Sequence, residues 1–375
     1  MTRAVLVVLL ILGQFSVAAA PRRRAAHHPV PVVAPAAIVT AARQSAGAAM
    51  AAGVPAVQVA VSHRGRIIYS EAFGITDKDS AAAATPRSVL QVGSVTKQFT
   101  AAAILRLAER GALTLDDRIE KYVPEFNNRG ATITLRHLLS HTSGVRRDWY
   151  PPTPTGLAPP APVTREHTIN TLNSQPFDFA PGTKWGYSNA GYQLLGYAIE
   201  SITGMPYAEF IHTELALPLG LLDTGVCGTS NLPLPEGYGQ SPQGTWKRMP
   251  SPHTSVLLSA GTLCSTATDL ARWSHFLATG RVMLPASYAT MTTPARLNNN
   301  AIVPSSYALG VAVQNMVGQP AVWHSGAIDG YQSFLLYLPE KDIAIAVITN
   351  AFPAPPGGNP QLIVTAVANA AVGSL

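Results

Sequence analysis

The sequence predicts an α/β (α+β) fold: an antiparallel sheet built from both chain ends and flanked by helices, with a mostly helical region inserted and a cleft at the junction. Three observations predict it. Strand-like segments lie near both termini, helix-forming segments with stop signals fill the middle, and the composition can bury a full core, with 47% hydrophobic and 12% charged residues in 375.

At the start of the chain, Arg3 precedes the apolar run Val5 to Leu12, and small residues at Val17 to Ala20 precede Pro21. This is the charged, apolar and small-residue order of a signal peptide, residues 1–20, with cleavage expected after Ala19 or Ala20. An uncleaved anchor is the alternative, because Ala4 to Ala20 approaches the ~17 to 25 residues of a spanning helix; Gln14 and the small-residue end favour removal. No cysteine lies nearby for lipid attachment. Residues 21–36, rich in Pro, Ala and Arg, read as a tether to a domain spanning 37–375. The mature protein is expected to be secreted or periplasmic, with no membrane contact.

Ala37 to Ala52 has helix-forming composition. Val57 to Ser62 alternates and Arg66 to Phe73 resumes after Arg64-Gly65, which predicts a hairpin. Helices follow at Ser94 to Arg110, closed by Gly111, at Thr134 to His141, ending near Gly144, at Tyr192 to Thr203, ending at Gly204, and at Asp269 to Leu277. Tyr150 to Val163 holds six prolines and reads as a surface loop, either overhanging the cleft or a solvated spacer. Strands are expected at Tyr307 to Gln314, Tyr331 to Leu338 and Asp342 to Thr349, and a final helix at Gln361 to Ala371. The sheet lobe would then comprise about 37–92 and 300–375, the helical lobe about 93–299.

The net charge of +6 does not mark a nucleic-acid binder. Arg3, Arg22, Arg23 and Arg24 all precede the first acidic residue, Glu71, and residues 25–375 carry 22 basic against 20 acidic side chains. Cys227 and Cys264 are the only cysteines; one bridge or two buried thiols fit equally well. His137 and His141 stand four apart, but Leu138 occupies the place of a zinc protease's glutamate, and no other spacing supplies metal ligands. No metal and no cofactor is expected.

Three short motifs carry chemistry. Ser94-Val95-Thr96-Lys97 opens a predicted helix, and its i, i+3 spacing puts hydroxyl and amine on one face. A partly desolvated amine can lose its proton and activate the hydroxyl, while the helix N-terminus favours negative charge at the reacting centre. Tyr187-Ser188-Asn189 follows Pro181-Gly182-Thr183 on a predicted loop. A tyrosine with its pKa depressed by nearby cations can shuttle a proton, and an asparagine amide can bind a substrate amide. In His324-Ser325-Gly326, at the edge of the C-terminal strands, the glycine lets substrate approach the backbone, the hydroxyl can donate to it, and the imidazole can supply positive charge at lower pH. Each motif alone is weak. All three in this order are expected by chance only about 0.005 times.

The set resembles the three active-site motifs of the penicillin-recognising serine hydrolases, on the branch of class C β-lactamases, D-alanyl-D-alanine carboxypeptidases and esterases, which also holds D-aminopeptidases. Gly111 to Asp117, Leu138 to Gly144, Pro218 to Leu221 and Ala260 to Leu263 resemble further family landmarks, so the likeness runs from about Ala37 to the C-terminus. It implies Ser94 as the acylated nucleophile, Lys97 as proton acceptor or pKa tuner, and Tyr187 as acid/base partner. Asn189 would bind the substrate amide, and His324, Ser325 and Gly326 the far wall. The oxyanion hole would comprise the N–H groups of Ser94 and Ala327.

Two departures bear on substrate. His324 stands where most β-lactamases of this branch keep lysine, and Ser188 where class C enzymes usually have alanine; both resemble carboxypeptidase and esterase members more closely. A small ester or peptide substrate is therefore expected, with β-lactam hydrolysis absent or feeble. A class C-like β-lactamase and a catalytically silent wall-binding or sensor protein are the alternatives. Ser188 as nucleophile of a Gly-x-Ser-x-Gly-like elbow lacks the apolar strand such an elbow needs, and Glu166 to Asn170 precedes the tyrosine motif rather than following it as in class A enzymes.

Overall fold

The structure, a computed structural model, describes residues 34–150, 159–229, 232–241, 244–355 and 357–375. The expected signal peptide, almost all of the expected tether and most of the proline-rich loop lie outside the described residues. Seven antiparallel strands form the main sheet: β1 (Ala56–His63), β2 (Arg66–Asp77), β3 (Ala82–Ala83), β4 (Ala312–Met316), β5 (Gln319–Ile328), β6 (Tyr331–Leu338) and β7 (Ile343–Thr349). Their order is β3-β2-β1-β7-β6-β5-β4, so the two ends of the chain meet where Val57 pairs with Thr349 and His63 with Ile343.

Both faces of the sheet are covered, which explains why β7 is apolar without a break. Ile343, Ile345 and Val347 point to one side, against α1 (Ala36–Ala51) and the last helix, Pro360–Ser374. Ala344, Ala346 and Ile348 point to the other, toward Ala267–Ala278 and the helical region. Each fully buried Val or Ile contributes about 1.5–3 kcal/mol, and this alternation holds the three layers in register.

The helical region is organised around α2 (Thr96–Glu109), in which every residue from Thr96 to Leu105 is buried. Phe99 stacks on Trp273 at 3.8 Å between ring centres. Next come α3 (Leu135–Leu139) and α4 (Asn189–Thr203), the latter capped by the Ser188 side chain and ended by Gly204 in the left-handed conformation. The backbone of Ser259 to Leu263 runs beside α2: Ser259 O accepts from Thr100 Oγ1 at 2.7 Å, and Leu263 N donates to Thr96 Oγ1 at 3.1 Å. The Cys227–Cys264 disulfide closes the end of that segment.

One local expectation fails, and one strand was not expected. Tyr307 precedes β4, in the turn that follows Pro304–Ser306, so the strand begins at Ala312. β5 itself has no clear period in the sequence, because Pro320, Ser325 and Gly326 interrupt it; its pairing with β4 and β6 overrides local propensity.

Candidate active site

Ser94 sits in a 3-10 turn, Gly93–Val95, that leads directly into α2. The turn packs against β5 where β4 ends. Pairing with β4 stops at Trp323, so the β5 edge from His324 onward faces the turn. Only glycine permits this approach: a Cβ on Gly326 would lie 2.0 Å from Val92 O, and one on Gly93 would lie 2.9 Å from Ala327 N. A cavity of about 520 Å³ opens there, lined by Ser94, Tyr187, Asn189, His324, Ser325 and Ala327 together with Arg147, Asp148 and Tyr150. The three motifs thus converge on one cleft.

Lys97 is fully buried one turn after Ser94. Its Nζ lies 2.8 Å from Asn189 Oδ1, 2.7 Å from Ala260 O and 3.2 Å from Ser94 Oγ. Burial holds its pKa well below the usual lysine range; Asp148 opposes this and Arg147 reinforces it. A neutral amine has two N–H bonds, and two of its three neighbours, a carbonyl and an amide oxygen, only accept. The lone pair is left for the third, Ser94 Oγ. The amide orientation is set by Asp148, whose Oδ1 accepts from Asn189 Nδ2 at 2.8 Å and so turns Asn189 Oδ1 toward the lysine.

Tyr187 lines the cleft with Ser94, and its ring centre lies 4.8 Å from Lys97 Nζ and 4.2 Å from the His141 ring. The expected depressed pKa is overturned: burial pushes the phenol up, outweighing the lowering by Ser94 and Arg147. Tyr187 is therefore a neutral phenol that holds its proton. The positive charge expected of His324 at lower pH is overturned as well. Burial, then the nearby Lys97, push the His324 imidazole down to about 3, so it is neutral at any ordinary pH.

Ser188 Oγ accepts from Gly191 N at 2.8 Å and donates to Arg146 O at 2.7 Å, which commits it to capping α4. Glu166 is exposed and outside the cavity lining. His137 and His141 serve different partners: Thr134 N donates to His137 Nδ1 at 3.3 Å, and Ser188 N donates to His141 Nδ1 at 3.0 Å. Sequence reading missed Arg147, Asp148 and Tyr307. Nothing in the spacing distinguishes Asp148 from other surface acids, whereas His141 and Ala260 both lie within segments that resemble family landmarks.

The comparisons agree with this geometry. A model of the Beta-lactamase family matches residues 39–369. The chain is 27% identical over 317 residues to Protein flp of Staphylococcus aureus, covering 79% of this chain and 60% of that protein. It is 29% identical over 296 residues to Penicillin-binding protein 4* of Bacillus subtilis, covering 74% and 64%. It therefore spans less than two thirds of the length of these relatives. A D-stereospecific amidohydrolase structure from Streptomyces superposes with a TM-score of 0.74 at 26% identity, covering 87% of this chain and 97% of that one. With a family match that takes in the hydroxyl, the amine and the strand edge gathered around the cleft, this chain belongs to the Beta-lactamase family of penicillin-recognising serine hydrolases.

Proposed function

We propose that the protein is an exported serine acyl hydrolase that forms an acyl-enzyme on Ser94 and acts on a small ester or on a peptide amide of the D-alanyl carboxypeptidase type. The observation that carries this reading is the Lys97 amine, buried, with two acceptors for its protons and its lone pair left for Ser94 Oγ. In the proposed sequence Lys97 takes the Ser94 proton while Oγ bonds to the substrate carbonyl carbon. The N–H groups of Ser94 and Ala327 hold the oxyanion, each worth about 2.7–4 kcal/mol of transition-state stabilisation. Tyr187, a neutral phenol beside Ser94, hands a proton to the leaving group and helps water attack the acyl-enzyme. Asn189 and the His324–Ala327 strand edge form the substrate walls.

The domain arrangement is proposed as signal 1–20, tether 21–36 and hydrolase domain 37–375. Export is supported by the N-terminal pattern and by a disulfide, which suits an oxidising compartment. No helix among the described residues is long and apolar enough to cross a membrane. Efficient β-lactam hydrolysis is disfavoured because a neutral His324 offers a substrate carboxylate no fixed charge.

The reading is tested by covalent labelling. A fluorophosphonate is expected to label the wild type and Ser188→Ala but not Ser94→Ala. Label retained in Ser94→Ala would reassign the nucleophile, and mass spectrometry showing an acyl adduct that never turns over would favour the silent sensor instead.

A further inference from the structure

Behind the cleft, two histidines from distant parts of the chain share one tyrosine hydroxyl. His141 Nε2 lies 3.2 Å from Tyr307 Oη, and Tyr307 Oη lies 2.9 Å from His324 Nε2. All three residues are buried. The ends of this chain define its direction. At one end Ser188 N–H can only donate, so His141 Nδ1 accepts and the proton of that ring is on Nε2. At the other end Ser325 O, 2.6 Å from His324 Nδ1, can only accept, so His324 carries its proton on Nδ1 and bares Nε2. The Tyr307 hydroxyl fits between them in one way, accepting from His141 and donating to His324.

We propose that His141, Tyr307 and His324 form a one-directional hydrogen-bond chain that locks His324 in its neutral Nδ1–H form, so that the cleft selects acyl substrates uncharged on the side facing this wall. The substrate part rests on the Ser94 acyl-hydrolase reading and favours its ester arm over its carboxypeptidase arm, whose substrate would bring a terminal carboxylate to this wall; the hydrogen-bond part does not rest on it. Tyr307 and His141 are then positioning residues that act through His324. A proton added to His324 Nε2 displaces the Tyr307 donor, and one added to His141 Nδ1 meets the Ser188 N–H head on. The surroundings work in the same direction. The groups facing His324 are Lys97 from α2, Tyr187 ahead of α4, Tyr307 ahead of β4, and Arg147 and Asp148 across the cavity. His141 faces Lys97, Tyr187, Tyr192 and Tyr307. Asp148, the one carboxylate among them, is engaged by Asn189 and by Arg147 at 3.3 Å. The His141 backbone has φ +60°, a left-handed conformation that histidine adopts more readily than most residues, just past the end of α3.

Two measurements test this. Long-range nitrogen-15 correlation spectra of the wild-type protein are expected to show opposite tautomers, His141 protonated on Nε2 and His324 on Nδ1, with neither ring titrating between pH 8 and 5. The same tautomer on both, or a midpoint near 6.5 for either, overturns the chain. For the substrate part, phenyl butyrate is compared with 4-(butyryloxy)benzoate, the same ester carrying one carboxylate. The wild type is expected to favour the neutral ester at least ten-fold in kcat/KM, with a ratio flat from pH 5 to 8. His324→Lys is expected to shrink the ratio at least ten-fold throughout, and Tyr307→Phe only below pH 6. A wild-type ratio near one, or one untouched by His324→Lys, overturns the selectivity. Hydrolysis of neither ester would instead defeat the acyl-hydrolase reading, and the spectra would still judge the hydrogen-bond chain.

Discussion

At the scale of single residues, the chemistry depends on which groups hold a proton. Lys97 can act as the proposed base only while neutral, so kcat/KM is expected to fall on the acid side as its buried amine takes a proton, and to show no inflection from His324 near neutrality. A pH–rate profile checks this. Asp148 raises the Lys97 pKa and orients Asn189, so its two roles separate by variant. Asp148→Asn keeps an acceptor for Asn189 but removes the charge, and should move the acid limb to lower pH. Asp148→Ala frees the amide as well and should cost about ten-fold or more in kcat, from the ~1.5–3 kcal/mol of a hydrogen bond to a charged group. An acid limb that stays in place in both variants would remove Asp148 from the electrostatics of the site. These charge states were not legible in the sequence. Ser94-x-x-Lys97 names the pair, but the depth of burial that neutralises Lys97, and that raises rather than lowers Tyr187, comes from residues far away in the chain.

At the scale of elements, the site depends on three segments closing around α2. The Gly93–Val95 turn meets β5 through Gly326, so Gly326→Ala should push Val92 and the strand apart, costing about 1–3 kcal/mol of stability and most of the acylation rate. Denaturation and fluorophosphonate labelling rates measure the two effects. The Ser259–Leu263 backbone presents Ala260 O to Lys97 and is tied at Cys264 to Cys227, 37 residues away in sequence. Replacing both cysteines with alanine should lower stability by ~4 kcal/mol, as expected for releasing a loop of that length, and should slow acylation by loosening the lysine's acceptor. Equal acylation in the two proteins would separate the disulfide from the site. Helix stop signals were legible, since Gly111 follows α2 and Gly204 ends α4; the start of α2 was not, because the helix expected from Ser94 begins at Thr96, after the Gly93–Val95 3-10 turn. β5 was not, because a strand holding proline, serine and glycine is set by its two neighbours and not by its own propensity.

At the scale of the whole molecule, two histidines buried neutral make stability depend on pH. The folded pKa of His141 and of His324 lies below the unfolded value of 6.5, so below that pH the unfolded chain binds more protons and is favoured. Above ~6.5 the slope comes from Lys97, whose folded pKa lies well below the unfolded 10.5, and below ~6.5 each histidine should add up to about 1.4 kcal/mol per pH unit. For His324 the loss continues down to about pH 3. Chemical denaturation at a series of pH values, with His324→Gln as control, measures the slope; an unchanged slope in that variant would contradict neutral burial. The sequence by itself determined the layered fold, the pairing of its two ends and the order of the three motifs, whose shared cleft the family resemblance implied. Those follow from local periodicity, from turn residues and from residue types recurring in a fixed order. The tertiary structure alone decided which groups are charged, that Asp148 and Tyr307 contact residues of the site, and that the cysteines are joined. These depend on burial and on distances between residues remote in the chain, which no local pattern records.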